Sequence, residues 1–149
     1  MAPIITNGVS GDTLILMGDK ITYKQIKNLI IGDIISTVND KSTLEITPQT
    51  VTSIDYGMPI ILYEITSMYD RIKISSETEM VLDRTGNFDP ISRTAYNISK
   101  YSLTYTYDYN NAKMVMSLIT NIKLIESEMI YNITTTGNNT CIAGNFIIN

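Results

Sequence analysis

The chain has 149 residues, of which 44% are hydrophobic and 17% charged, with a net charge of −4 at pH 7. It contains no histidine and a single cysteine, Cys141, which excludes imidazole-based triads, His-ligated metal centres, intrachain disulfides and Cys-rich clusters. Its 11 Lys and Arg never cluster against 15 Asp and Glu, so there is no basic stripe for nucleic acid, and no apolar run is long enough to span a membrane.

Residues 1–7 read as a leader or flanking segment and residues 8–149 as one domain. The opening MAPIITNG has neither the basic start nor the apolar stretch of a signal peptide, and the localisation stays open. Residues 13–16 form a short strand ended by the turn formers Gly18 and Asp19. Residues 23–30 carry apolar side chains at 23, 26, 29 and 30, enough for a short helix or 3₁₀ turn that Gly32 stops. A strand at 33–38 turns through Asn39, Asp40 and Lys41 into another at 43–46, and Pro48 argues against a central strand there. Residues 49–54 and 60–66 read as a further pair of strands. Ile72 and Ile74 alternate with Lys73 and Ser75, the pattern of a half-buried strand. A short apolar strand at 80–82 runs into a turn at 84–87.

The stretch 96–111 is rich in Tyr, Thr, Ser and Asn. It reads as a protruding loop or hairpin, with Tyr101, Tyr105, Tyr107 and Tyr109 as a contact surface or as the cover of a strand face. Strands at 113–119, 122–125, 129–134 and 141–148 complete the chain. A dozen or so short, β-branched strands with almost no helix predict an all-β single domain with non-local pairings.

The two ends carry a further pattern. SGDTLI at residues 10–15 resembles the opening motif of the Hint superfamily, the self-processing modules of inteins and Hedgehog C-terminal domains. IYNITTTGNNTCIAGNFIIN at residues 130–149 resembles its closing motifs, which usually end in His-Asn. Between them, ITYKQIKNLIIGDII resembles the segment before the family's Ile-Gly-Asp turn, and IKISSETEMVL the strand and turn that carry its Thr-x-x-His group. The resemblance covers residues 8–149. It implies a compact all-β horseshoe with the two termini close together. It also implies an acyl shift at the first residue, aided by the Thr-x-x-His group, and cyclisation of a terminal Asn.

Residue by residue, the implied chemistry is depleted. The nucleophile position is Gly8, which has no side chain; Ser10 lies two places late. The Thr-x-x-His group maps to Ser76 and Glu79, with carboxylate in place of imidazole. Asn139 and Ile148 stand at the positions of two further histidines. Asp12, Thr13, Gly32, Asp33, Tyr131 and Gly144 match structural positions of the motifs. Asn149 is retained and could attack its own carbonyl. Cys141 reads as a small buried hydrophobe rather than a nucleophile.

The reading is therefore a degenerate Hint module without splicing activity, kept as a structural or interaction element. Its partners would be the flanking segments of its own polypeptide or another protein. The alternatives are residual self-processing, intramolecular rather than by turnover, through cyclisation of Asn149, and an unrelated β-rich viral or surface structural domain. No cofactor or metal is called for, since Asp12, Asp33, Glu77, Glu79 and Asp83 lack the ordered spacing of a cation motif.

Overall fold

The computed structural model describes residues 2–149; Met1, the first residue of the leader, lies outside the described residues. The strands are β1 (Val9–Ser10), β2 (Leu14–Leu16), β3 (Tyr23–Gln25), β4 (Ile34–Asp40), β5 (Glu45–Gly57), β6 (Leu62–Ser67) and β7 (Arg71–Ser75). They continue with β8 (Glu79–Asp83), β9 (Pro90–Thr94), β10 (Leu103–Asp108), β11 (Lys113–Ile125), β12 (Ile130–Thr135), β13 (Cys141–Ala143) and β14 (Phe146–Ile148). Two 3₁₀ turns, Ile26–Asn28 and Ala95–Asn97, interrupt them. No helix among the described residues is long and apolar enough to cross a membrane.

Antiparallel ladders join the strands in the order β3-β2-β13-β14-β8-β10-β11-β6-β7-β1-β12-β5-β4, with β9 attached to β8. The two ends of this path meet. Met17 bridges Ile35, the Gly18 N–H donates to the Ile34 carbonyl at 2.9 Å, and Ser36 Oγ donates to the Met17 carbonyl at 2.7 Å. The sheet thus bends round on itself as a horseshoe. It encloses Ile15, Ile35, Val51, Ile65, Ile74, Met80, Ile119 and Phe146, all with no measurable exposure. Branched side chains with restricted rotamers lose little freedom on a pleated surface, which is why an isoleucine-rich chain settles into strands.

Several local expectations change. Residues 49–54 do not pair with 60–66. They lie within β5, which meets β4 along its first half and β12 along its second, while β6 pairs with β7 and β11. β5 passes through Pro48, opposite Ser36. β12 reaches β5 only from Val51 onward, so at Pro48 the strand has one neighbour and the missing N–H costs no second ladder bond. The separate strands at 113–119 and 122–125 are one strand, β11, with a register shift between Ile119 and Asn121.

The contact surface proposed for the tyrosines needs the largest correction. Residues 103–108 form β10, which lies between β8 and β11. Tyr105 and Tyr107 are buried in it, leaving only Tyr101 and Tyr109, 65% and 53% exposed, open to solvent. Residues 3–5 lie beside Met58: Ile4 forms an isolated bridge with it, the Ile5 N–H donates to the Met58 carbonyl at 3.1 Å, and the Met58 N–H to the Pro3 carbonyl at 2.8 Å.

Candidate functional site

The turn from β7 into β8 brings two hydroxyls to the backbone of Gly8. The Gly8 N–H donates to Thr78 Oγ1 at 2.8 Å, Thr78 Oγ1 lies 2.6 Å from Ser75 Oγ, and Ser75 Oγ donates to the Thr6 carbonyl at 2.7 Å. An amide N–H can only donate and a carbonyl can only accept, so Thr78 accepts from Gly8, and its own proton is shared between Ser75 Oγ and the Gly8 carbonyl at 3.3 Å. The Ser75 N–H closes the arrangement on the Gly8 carbonyl at 3.1 Å. Ser75, Thr78 and Gly8 are all buried.

The group facing Gly8 is therefore Ser75-x-x-Thr78, one place earlier than the Ser76–Glu79 match. The signal was present in the sequence, because SSET offers a hydroxyl-x-x spacing in either register. Burial decides between them: Ser75 and Thr78 point inward, whereas Ser76 is half-buried and uses its backbone on Ile61 and Tyr96.

Gly8 itself has φ +154°, and a Cβ built on it would lie 2.6 Å from the Tyr131 carbonyl oxygen and 3.0 Å from the Tyr131 carbonyl carbon. Both contacts are backbone within a ladder, since Val9 pairs with Tyr131, and cannot swing aside. Ser10 is buried and its hydroxyl lies 3.2 Å from Thr13 Oγ1, so it is engaged in the following turn rather than aimed at the Asn7–Gly8 bond.

Gly8 and Asn149 line one narrow cleft, together with Tyr131, Asn139, Cys141 and Ile148. The Asn149 N–H donates to the Glu79 carbonyl at 2.9 Å, and Asn149 Nδ2 donates to Glu79 Oε1 at 3.4 Å. Consecutive residues thus hold two segments far apart in sequence, Thr78 at Gly8 and Glu79 at Asn149. Ile148 is buried in β14 opposite Met80. Asn139 is exposed and accepts the Thr135 N–H at 3.2 Å, closing its own turn. Burial pushes the Cys141 thiol up to about 12, so it carries almost no thiolate near neutrality.

The remaining motif residues build the walls. Asp12 pairs with Lys27 at 2.6 Å, and that hydrogen bond holds its carboxyl below the usual range. Thr13 is buried and accepts the Ile26 N–H at 2.8 Å. Asp33 accepts the Ile30 N–H and pairs with Lys24 at 2.9 Å. Gly32, at φ +98°, bonds through its N–H to Val51. Gly144 and Asn145, with φ +55° and +71°, form the two-residue hairpin turn of β13 and β14. The Tyr131 ring packs against Gly11, where a Cβ would stand 3.0 Å from its edge. A wider groove, of about 800 Å³, runs between Asp12 and Lys73 but includes neither Gly8 nor Asn149.

No family model and no curated protein matches this sequence. Solved structures do match over nearly all of its length. A DnaB intein from Synechocystis sp. PCC 6803 is 17% identical with a TM-score of 0.81, covering 95% of this chain and 96% of its own. A bacterial intein-like domain from Clostridium thermocellum is 18% identical with a TM-score of 0.76 and 97% coverage of both chains. The TvoVMA intein reaches a TM-score of 0.82 at 12% identity, covering 96% and 97%. These likenesses set aside an unrelated β-rich architecture. The chain has the fold of inteins and intein-like domains.

Proposed function

We propose that this chain is an intein-like scaffold that has lost splicing and serves as a structural or interaction module within its polypeptide. The observation that carries this reading is the environment of the Asn7–Gly8 bond. Acyl transfer there needs a nucleophile on residue 8 and a proton for the departing nitrogen. Gly8 has no nucleophilic side chain, and a Cβ at its position would meet the Tyr131 backbone at 2.6 Å. Thr78 accepts from the Gly8 N–H, which leaves its own proton for Ser75 or the Gly8 carbonyl rather than for the amide nitrogen. These contacts favour an intact peptide bond.

A second reading, cleavage after Asn149, draws on the contact between Asn149 Nδ2 and Glu79, which orients the side-chain amide. Fusing foreign segments to both ends, incubating for days and measuring intact mass tests both readings. An unchanged mass is expected, with Asn149→Ala behaving identically. A ligated product of the two flanks overturns the proposal. Release of the C-terminal flank, abolished in Asn149→Ala, establishes the second reading.

A further inference from the structure

Asn7-Gly8 is the chain's one Asn-Gly dipeptide, the pair in which an asparagine side chain most readily closes on the next backbone nitrogen, because no Cβ hinders the approach. Asn7 is exposed, so its side-chain amide is open to water, whereas Gly8 is buried. The close approach of the Tyr131 carbonyl imposes glycine at position 8, so the fold cannot shed the dipeptide there by adopting a larger residue.

We propose that Asn7 is a site of succinimide-mediated deamidation whose rate is set by the Thr78–Ser75 hydroxyl pair. In the reaction, the Gly8 nitrogen gives up its proton to solvent base and attacks Asn7 Cγ. The N–Cγ bond forms, the Cγ–Nδ2 bond breaks and ammonia leaves. Water then opens the ring at either carbonyl to leave aspartate or isoaspartate; nothing is oxidised or reduced. The relay opposes the first step in two ways. It occupies the Gly8 proton at 2.8 Å with a buried acceptor. Through the Ser75 bonds to the Thr6 carbonyl at 2.7 Å and the Gly8 carbonyl at 3.1 Å, it also fixes the backbone on both sides of Asn7 against the rotation that ring closure requires.

The test compares the full chain with Thr78→Val and Thr78→Ser at mildly alkaline pH, following Asn7 by peptide mapping that separates aspartate from isoaspartate. Thr78→Val is expected to react roughly tenfold faster than the parent, the rate equivalent of about one released hydrogen bond. Thr78→Ser, which keeps the hydroxyl, is expected to follow the parent. The parent unfolded in denaturant is expected to react at least as fast as Thr78→Val. Equal rates for the folded parent and Thr78→Val, or for the folded and unfolded parent, overturn the proposal. Should Thr78→Val fail to fold, Ser75→Ala removes the Thr6 tether and one of the two acceptors of the Thr78 hydroxyl, the other being the Gly8 carbonyl, and an unaccelerated rate there overturns the proposal equally.

Discussion

At the scale of single residues, the Asn7–Gly8 peptide shows how one hydroxyl changes the character of a site. A proton donor aimed at an amide nitrogen weakens the bond, whereas an acceptor on its N–H leaves the nitrogen's electrons in the amide resonance. Thr78 is held in the second role because the Gly8 N–H can only donate to it, while its own proton is taken by Ser75 or the Gly8 carbonyl. Gly8 completes the arrangement sterically. Gly8→Ala places a Cβ against the Tyr131 carbonyl at a φ that side chains rarely adopt, and is expected to cost roughly 2–3 kcal/mol. Urea unfolding measures this. An unchanged midpoint would mean that the β1–β12 ladder yields to the methyl group.

At the scale of elements, the loop joining β8 to β9 shows how a buried charge is accommodated. Asp83 is buried, and burial opposes its ionisation. Tyr105 Oη and the N–H groups of Asp89, Gly86 and Thr85 donate to it and outweigh that penalty, holding the carboxyl below its ordinary range. Tyr105→Phe removes one donor and leaves the carboxylate buried, so a loss of about 1–3 kcal/mol is expected, with its largest effect above the carboxyl's titration range. A loss that persists undiminished when Asp83 is replaced by Ala would show that ring packing, not the hydrogen bond, is at stake. Such elements also show what the sequence makes legible. The strand around Ile72 and Ile74 follows from alternation, and those read at 13–16 and 129–134 from apolar, β-branched runs next to turn residues, which act locally. Pairing does not. Nothing near Gln49 reveals that β5 exchanges β4 for β12, because that depends on where residues 130–135 arrive. The tyrosines at 105 and 107 have the alternation of a surface strand, and only their packing on distant residues buries them, Tyr105 with Val38, Leu44 and Ile147, and Tyr107 with Leu16, Ile46 and Ile142. At the site, the motif residues at the two ends were readable in order, but the choice between Ser75–Thr78 and Ser76–Glu79 needed the direction of side chains at the end of β7.

At the scale of the whole molecule, the missing histidines determine how stability responds to pH. Without imidazole, no side chain at its ordinary pKa changes charge between about pH 5 and 8, and the groups perturbed by folding move away from that window. Asp83 is held low by its four donors, Asp33 first by the Ile30 N–H and Asp89 first by Arg84. Each is depressed relative to the unfolded chain, so its contribution is present above about pH 4 and is lost as pH falls through the folded value. Cys141 and Tyr105 move the other way. Burial raises the thiol to about 12, and burial followed by the Asp83 contact raises the phenol. Both contributions are complete below their unfolded values, about 8.5 for the thiol and about 10 for the phenol, and are lost as pH rises through the folded ones. The urea midpoint should therefore be level between about pH 5 and 8, falling on the acid side through the aspartates and on the alkaline side through Cys141 and Tyr105. Cys141→Ala should remove the part of the alkaline fall that begins near pH 8.5 and leave the acid limb unchanged. A slope inside the neutral window would mean that folding shifts a further group into it.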